Sequence, residues 1–344
     1  MFIKKIIFII SCLIAVSLLV VVEVKKQNEV NYTDTKKVVE EKVPDIKNIS
    51  TVFKIDKLKN GDAKFYNDKY IATQVDGKFM MIDFQGNVVK TYDDIQVKWF
   101  SVEPGDKTIV YSNVQKQLGI LVLDDNLNII KNQRIATYDN LVIDPTIINI
   151  NGTYYVTYTS IDGIVNNGDA QKENGKYTVE LLKSDDLENF SYVGKVMEDK
   201  HNLEDIVAMK SHDRYHLIYE RETVDCGDST LEEISSVNGG VTWSRPKVIC
   251  GPDGDNELGN ILTFNDKYYV YYSSDIENRG ASYDGAEMYV KVFDRDFDML
   301  EDAQRIDGLD SVLLYDVKKS GDSVYFIYTE KYSTDSNLVL LKCG

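Results

Sequence analysis

Short runs of alternating aromatic and aliphatic residues dominate the chain from residue 51 onward. Asn, Asp and Gly separate these runs, as they do between β-strands. No stretch repeats its apolar residues with the period of an amphipathic helix. The pattern therefore predicts an all-β fold.

One strand pattern recurs six times along the chain. An apolar run and a polar turn precede the clearest copies, and a second polar turn and a further strand follow, which gives units of four strands. Four-stranded units at intervals of roughly 35 to 60 residues predict a β-propeller, whose blades bury their faces against one another. The copies are Lys69–Ala72, Lys107–Tyr111, Thr153–Tyr158, Arg214–Tyr219, Lys267–Tyr272 and Ser323–Tyr328.

The ends of the repeat region favour a closed ring of six blades. The last unit contains three strands and ends at Leu341, whereas Val52–Leu58 is a spare strand at the other end. We expect this N-terminal strand to complete blade six, in a six-bladed propeller over residues 51–344. A five-bladed ring is the alternative, if Ala63–Tyr92 is a cap rather than a blade.

The N-terminal residues 1–23 predict a signal-anchor. Lys4 and Lys5 precede an uncharged run from Ile6 to Val22, and Glu23 ends this run. The length of the run is near the lower limit for a membrane span. We expect the anchor to stay in the cell membrane and the propeller to lie outside. A lipoprotein lipidated at Cys12 or an ordinary cleaved signal peptide are the alternatives.

The mixed charges of residues 24–50 predict a polar stalk between the anchor and the propeller.

Composition argues against some classes of partner and of metal site. A formal charge of −17 and a pI near 4.7 argue against a nucleic-acid partner, and three histidines leave little material for a histidine-based metal site. Cys226 and Cys250 flank one predicted hairpin and could pair after export, but two unpaired thiols fit equally well.

Two turn motifs carry a resemblance to known propellers. Ser236–Trp243 reads Ser-Val-Asn-Gly-Gly-Val-Thr-Trp and resembles the Asp-box of sialidases and other propellers, with Asn238 at the Asp position. Ser184–Phe190 resembles the looser turn of arabinanase- and fructosidase-like propellers, and Asp144-Pro145 is similar to the Asp-Pro strands of the same enzymes. The resemblance covers about residues 140–300. It implies a propeller glycoside hydrolase that binds a carbohydrate, with the Asp-box away from the active face.

The loops indicate which face of the propeller works. In a propeller, the start of each blade's first strand lies on the same face as the loop between the second and third strands. Three consecutive blades have long loops there, Ser160–Lys176, Arg221–Ser229 and Ser273–Ala286. Long loops on a rigid scaffold commonly carry function, so we expect a pocket wall on this side.

Carboxylates start the first strands of these same blades. Glycoside hydrolysis needs one carboxylate to attack or activate water and one carboxylic acid to protonate the leaving oxygen. We predict Asp144 as base or nucleophile, Glu204 or Asp205 as acid, and Glu257 as a group that tunes a pKa or holds substrate. The residues predicted to contact substrate are Tyr158, Glu220, Arg221, Glu222, Asp275, Arg279 and Tyr283.

Other readings of these residues stay open. Acidic residues are common in this chain, so a non-catalytic propeller that binds surface glycan or a protein partner is the main alternative. A sialidase is less favoured, because only Arg221 and Arg279 among the arginines fall on the active face. No cofactor is predicted, although the alternating oxygens of Asp253–Glu257 could hold Ca²⁺; a solvated turn is the alternative.

Overall fold

Six four-stranded antiparallel sheets make up a computed structural model, which describes residues 48–344 except 57, 59, 60, 76, 106, 163–175, 224–226, 277–284, 307–310 and 332–335. These residues contain 24 strands and no helix. Blades one to five use four consecutive strands each, and the sixth sheet has the order β1-β24-β23-β22. The protein is thus a six-bladed β-propeller, and the five-bladed alternative is wrong because the segment from Ala63 to Tyr92 forms a blade.

The strands of blades one to three are β2 Ala63–Phe65, β3 Tyr70–Val75, β4 Lys78–Asp83, β5 Val88–Gln96, β6 Trp99–Val102, β7 Thr108–Ser112, β8 Gln117–Leu123, β9 Ile129–Thr137, β10 Leu141–Ile150, β11 Thr153–Asp162, β12 Lys176–Ser184 and β13 Ser191–Asp199. The strands of blades four to six are β14 Asn202–Ser211, β15 Arg214–Glu222, β16 Ser229–Ser236, β17 Lys247–Cys250, β18 Asn256–Phe264, β19 Lys267–Ser274, β20 Glu287–Phe293, β21 Met299–Arg305, β22 Val312–Ser320, β23 Ser323–Glu330, β24 Asn337–Cys343 and β1 Ile49–Ile55.

Apolar clusters fill the spaces between neighbouring blades. Phe79 of blade one and Phe100 of blade two pack edge to face, with ring centroids 5.3 Å apart. Tyr271 of blade five and Phe326 of blade six repeat the contact at 5.4 Å. Edge-to-face aromatic pairs add to the free energy gained from area burial alone. The core of the propeller is therefore a ring of inter-blade interfaces.

The second strand of each blade explains the repeated sequence pattern. On β15, Tyr219 packs into the cluster shared with blade three, whereas Ile218 packs into the cluster shared with blade five. A strand buried on both faces reads as a nearly continuous apolar run. The six copies found in the sequence are these doubly buried strands.

Asp or Asn side chains close the turn between the third and fourth strands in five blades of the described chain. Each accepts a hydrogen bond from a backbone N–H further along the turn, at 2.8–3.0 Å. Such Asx turns satisfy backbone donors that the sheet leaves unpaired. The five residues are Asp83, Asp124, Asp186, Asn238 and Asp294.

The first described strand lies slightly earlier than the sequence predicted. β1 runs from Ile49 to Ile55 and pairs antiparallel with β24, with Ile49 opposite Cys343 and Ile55 opposite Leu338. The described residues belong to one compact unit and include no helix long and apolar enough to cross a membrane. The predicted anchor, residues 1–23, lies outside the described residues, as does the stalk up to residue 47.

Candidate functional site

The first strands of blades three and four are irregular at one equivalent position. The register of β10 against β11 shifts between Ile143 and Thr146, and that of β14 against β15 shifts between Glu204 and Val207. Each irregular segment contains an aspartate with a positive φ, 45° at Asp144 and 48° at Asp205. Non-glycine residues rarely adopt this conformation, and bulges that re-aim a side chain are common beside active sites. Adjacent blades thus store strain at the aspartates that the sequence singled out.

Asp144 and Asp205 are in contact. The backbone N–H of Asp205 donates a hydrogen bond to Oδ2 of Asp144 over 3.4 Å. Burial raises the pKa of Asp144 to about 8, and the negative charge of Asp205 adds to the effect. The Asp144 carboxyl is therefore mostly protonated at pH 7.

Glu257 of blade five and Glu220 of blade four join the two aspartates. One carboxylate oxygen from each of Asp205, Glu220 and Glu257 lies within 4.8 Å of the others. Burial raises the pKa of both glutamates well above the ordinary value, and neighbouring carboxylates add to it. Glu257 also shares a hydrogen bond with Asp205 that favours a protonated Glu257. We refer to Asp144, Asp205, Glu220 and Glu257 as the carboxylate cluster.

A lysine from blade one provides positive charge beside the carboxylate cluster. Lys64 Nζ donates to the backbone carbonyl of Tyr315 over 2.7 Å and lies 3.5 Å from Asp62 Oδ1. Burial opposes its charged form, but the negative charges of Asp62, Asp316 and Asp205 outweigh burial and raise the pKa of Lys64. Lys64 therefore remains charged.

Two further acids flank this lysine. Burial raises the pKa of Asp62 and of Asp316, although the charge of Lys64 opposes the rise in both. Asp316 accepts hydrogen bonds from Phe65 N–H at 2.8 Å and from Asn260 Nδ2 at 2.5 Å. Sequence reasoning missed Asp62, Lys64 and Asp316 because it restricted the site to the blades with long loops.

Several predicted site residues lie near the carboxylate cluster. Glu204 precedes Asp205 on β14 and is in register with Glu220. Glu222 is buried and accepts a hydrogen bond from Asn202 Nδ2 at 3.0 Å. Asp275 is buried as well, and its Oδ1 accepts the backbone N–H of Asp255 over 2.9 Å.

The structure does not bring Tyr158 to the site. Its side chain is 1% exposed in the cluster between blades two and three, and its hydroxyl donates to Glu180 Oε2 over 2.6 Å. Tyr219 occupies the equivalent position in blade four and bonds Glu232 in the same way. Tyr158 is thus a repeated structural residue, which the sequence pattern could not distinguish from an exposed tyrosine.

Arg221 points away from the carboxylate cluster. Its guanidinium binds Asp199 at 2.7 Å and Glu232 at 3.5 Å, on the blade-three side of the strand. Alternation along β15 places Glu220 and Glu222 on the other side. The two remaining substrate candidates, Arg279 and Tyr283, lie outside the described residues.

Cys250 and a surface groove are not part of the carboxylate cluster. Cys250 carries a free, buried thiol, and its candidate partner Cys226 lies outside the described residues. A surface groove of about 710 Å³ lies between blades one and two, and it contains none of the residues of the carboxylate cluster. It is lined by Asp93, Asp94, Ile95, Gln96, Tyr111, Asn113, Gln115, Gln117, Asn132 and Arg134.

The carboxylate cluster has the elements of acid–base chemistry. Asp144 holds a proton at neutral pH, and Asp205 offers a second carboxyl group next to it. A proton donor and a base or nucleophile at one site are what glycosidic bond hydrolysis requires. All of these groups come from rigid strands, which hold such side chains more tightly than loops do.

Comparisons with known proteins give structural neighbours only. No family model matches the chain, and no curated protein matches it. The chain is similar to β-1,2-mannobiose phosphorylase from Listeria innocua, with 12% identity, TM-score 0.47, and coverage of 90% of this chain and 95% of that one. It is also similar to α-L-arabinofuranosidase from Lactobacillus brevis, with 11% identity, TM-score 0.49, and coverage of 84% and 91%.

A third neighbour is the GH32 β-fructofuranosidase of Bombyx mori, at 12% identity and TM-score 0.49. The match covers 71% of this chain and spans 59% of that longer chain. A β-fructofuranosidase and an α-L-arabinofuranosidase are thus among the solved structures to which this chain is similar.

Proposed function

We propose that the protein hydrolyses a glycosidic bond, with Asp144 as the proton donor and Asp205 as the nucleophile or general base. The observation that carries this proposal is the pair itself. Two neighbouring blades hold these aspartates at positive φ and in hydrogen-bond contact, and the pKa of one is raised to about 8. Strained backbone at both aspartates, together with the strongly shifted pKa of Asp144, favours catalysis over a structural role.

The roles of the aspartates are exchanged relative to the sequence prediction. The order of residues along the chain cannot tell which carboxyl keeps its proton, since that depends on burial and on neighbouring charge. The raised pKa of Asp144 makes it the better acid at neutral pH. Glu257, which shares a hydrogen bond with Asp205, orients Asp205 in this scheme.

The charge around the site favours a neutral or weakly charged carbohydrate. Lys64 has three acidic neighbours, Asp62, Asp316 and Asp205, and the whole chain carries a formal charge of −17. Negative potential of this kind repels an anionic sugar. We therefore expect sialosides to be poor substrates.

The location of the enzyme is also part of the proposal. Residues 1–23 have the composition of a signal-anchor and residues 24–50 that of a stalk, so the substrate would be a glycan outside the cell membrane. Protease added to intact cells should then remove the propeller from its anchor. Protection of the propeller in intact cells would contradict this location.

Activity of the full-length protein in mild detergent tests the proposed function. The screen uses nitrophenyl α-arabinoside, β-xyloside, β-fructoside, galactoside and sialoside. Asp205→Asn should lower turnover of any active substrate by about 10²–10⁴-fold, which is the range for loss of an acid–base group. Asp296→Asn is the matched control, because this exposed aspartate sits in the turn after Phe293, away from the cluster.

Two outcomes would contradict the proposal. One is full activity in Asp205→Asn, which would place catalysis elsewhere. The other is silence on every glycoside from a folded, monodisperse protein. Silence would favour a non-catalytic propeller that binds glycan or a protein.

A further inference from the structure

A second group of acids shares Glu220 with the carboxylate cluster and lies between blades four and five. One carboxylate oxygen from each of Glu220, Glu222 and Asp255 lies within 4.8 Å of the others. Their exposed fractions are 1%, 3% and 1%, so solvent reaches none of them appreciably. We call these residues the inter-blade trio. Three like charges this close, removed from water, are unfavourable unless protons or a cation neutralise them.

The position of Glu220 departs from the pattern of the other blades. It follows Tyr219, the last tyrosine of the repeated pattern on the second strand. In blades two, three, five and six, the residue after that tyrosine is a buried serine or threonine. Two of those hydroxyls link neighbouring blades: Thr159 donates to Leu203 O at 2.8 Å, and Ser273 accepts from Leu314 N at 3.2 Å. The fold is therefore satisfied by Ser or Thr at this position. The glutamate in blade four needs another explanation.

Buried oxygens without hydrogen-bond partners point to a ligand at this place. Within the part of the chain that the structure describes, Glu220 Oε1, Ser274 Oγ and Asp275 Oδ2 are buried and make no hydrogen bond. Asp275 is tied to the inter-blade trio, because its other oxygen accepts the N–H of Asp255. Unsatisfied buried polar atoms are rare in proteins, and a bound ion is one of the few explanations for them.

We propose that the inter-blade trio binds a hard divalent cation, for which Ca²⁺ is the best candidate. Ca²⁺ binds oxygen ligands at about 2.3–2.6 Å, so two oxygens on one ion lie at most about 5 Å apart, and the oxygens of the trio all lie within 4.8 Å of one another. An all-oxygen set excludes the soft metals that require thiolate or imidazole. Three carboxylates and one divalent ion leave a single net negative charge in the interface.

Neighbouring residues hold the ligands in place. Asn202 Nδ2 donates to Glu222 Oε2 over 3.0 Å, and Asp275, directly after β19, accepts the backbone N–H of Asp255. Glu220 is shared with the carboxylate cluster, and the trio lies on β15 and on the segment before β18. The cation would therefore join blades four and five as well as neutralise their acids. This inference does not depend on the proposed glycosidase activity.

Calorimetry with the full-length protein in mild detergent tests the cation site. The protein is treated with EDTA, exchanged into metal-free buffer at physiological salt, and titrated with CaCl₂ and then with MgCl₂. We expect one Ca²⁺ per chain and a higher Tm when Ca²⁺ is present. Glu222→Gln should weaken Ca²⁺ binding by at least about tenfold, since even residues outside the ligand shell have effects of this size.

Two variants make the assignment specific. Glu257→Gln changes the carboxylate cluster but not the inter-blade trio, so it should retain the stoichiometric site. In EDTA, Glu222→Gln should melt no lower than the wild type, because it relieves repulsion; loss of binding then does not reflect unfolding. Absence of stoichiometric binding by the wild type, or binding that survives Glu222→Gln, would overturn the proposal. Neither result depends on whether any glycoside is cleaved.

Discussion

The backbone N–H of Asp205 donates a hydrogen bond to Asp144 Oδ2 across the boundary between blades three and four. Both residues have positive φ, and both lie where the first strand of the blade loses its regular register. The contact lowers the pKa of Asp144, yet burial and the charge of Asp205 outweigh it. The result is a carboxyl group that holds a proton near neutral pH and touches a second carboxyl residue.

The first prediction separates the roles of the two aspartates by leaving group. A proton donor matters most when the departing oxygen is strongly basic, whereas a nucleophile matters for every substrate. Asp144→Asn should therefore lose about 10²–10⁴-fold on an alkyl glycoside or oligosaccharide but much less on a nitrophenyl glycoside. Asp205→Asn should lose activity on both. Equal losses of Asp144→Asn on both substrates would rule out its assignment as the acid.

The second prediction concerns stability and pH. The ordinary pKa of Asp144 is 3.8, and in the folded protein it is about 8. Between these values the folded protein binds a proton that the unfolded chain has released, so the free energy of unfolding falls as pH rises through this window. Asp144→Asn removes this dependence. It should stabilise the protein by roughly 1–3 kcal/mol at pH 8 and by less at pH 5.

Thermal melts of wild type and Asp144→Asn from pH 4 to pH 9 measure the effect. Each kcal/mol corresponds to roughly 2–4 °C in Tm for a domain of this size or somewhat smaller. The control is Asp296→Asn, which alters an exposed aspartate outside the carboxylate cluster and is melted over the same range. A difference for Asp144→Asn that does not grow with pH would show that its carboxyl titrates normally.

Much of the fold was predictable because the second strands are buried on both faces. A strand such as Tyr268–Tyr272 has no solvent face to supply alternating polar residues, so its copies stand out in the sequence. The same property concealed the difference between structural and exposed tyrosines. Tyr158 looks like a sugar-stacking residue, but in the structure it packs between blades two and three.

The site was only partly predictable because ring closure joins distant parts of the chain. Asp144, Asp205 and Glu257 begin strands of neighbouring blades and could be grouped from the sequence. Lys64 and Asp316 come from the first and last blades, and only the closed ring brings them together. The pKa of Asp144, and hence its role, depends on that three-dimensional environment.

The third prediction tests the turn at Ser236–Trp243. Gly240 has φ +82°, and a Cβ there would lie 2.2 Å from Leu181 Cδ2 of blade three. Its N–H donates to Ser236 Oγ, and Trp243 Nε1 donates to its carbonyl. Gly240→Ala should therefore cost about 2–4 kcal/mol, from backbone strain and overpacking together.

Gly77→Ala is the matched control in denaturant unfolding. Gly77 has φ +75°, but nothing lies within 4 Å of the position of its Cβ. It should show the backbone strain alone, about 1–2 kcal/mol. Equal costs at both positions would mean that the contact between this turn and blade three contributes nothing.

The last prediction concerns closure of the ring by β1, which we propose as a stabilising device of the folded protein. Phe53 on this strand is 8% exposed and lies in the cluster that joins blades six and one. Its ring lies against Gly86 in the turn between β4 and β5, where an added Cβ would come within 3.2 Å of Phe53 Cγ. Phe53→Ala should lower the free energy of unfolding by about 3–5 kcal/mol, the usual cost of truncating a buried phenylalanine.

Val52→Ala, which alters an exposed neighbour on the same strand, is the matched control and should cost at most about 0.5 kcal/mol. Urea unfolding of both variants measures the difference, and similar small effects for the two would show that the propeller is stable without this strand.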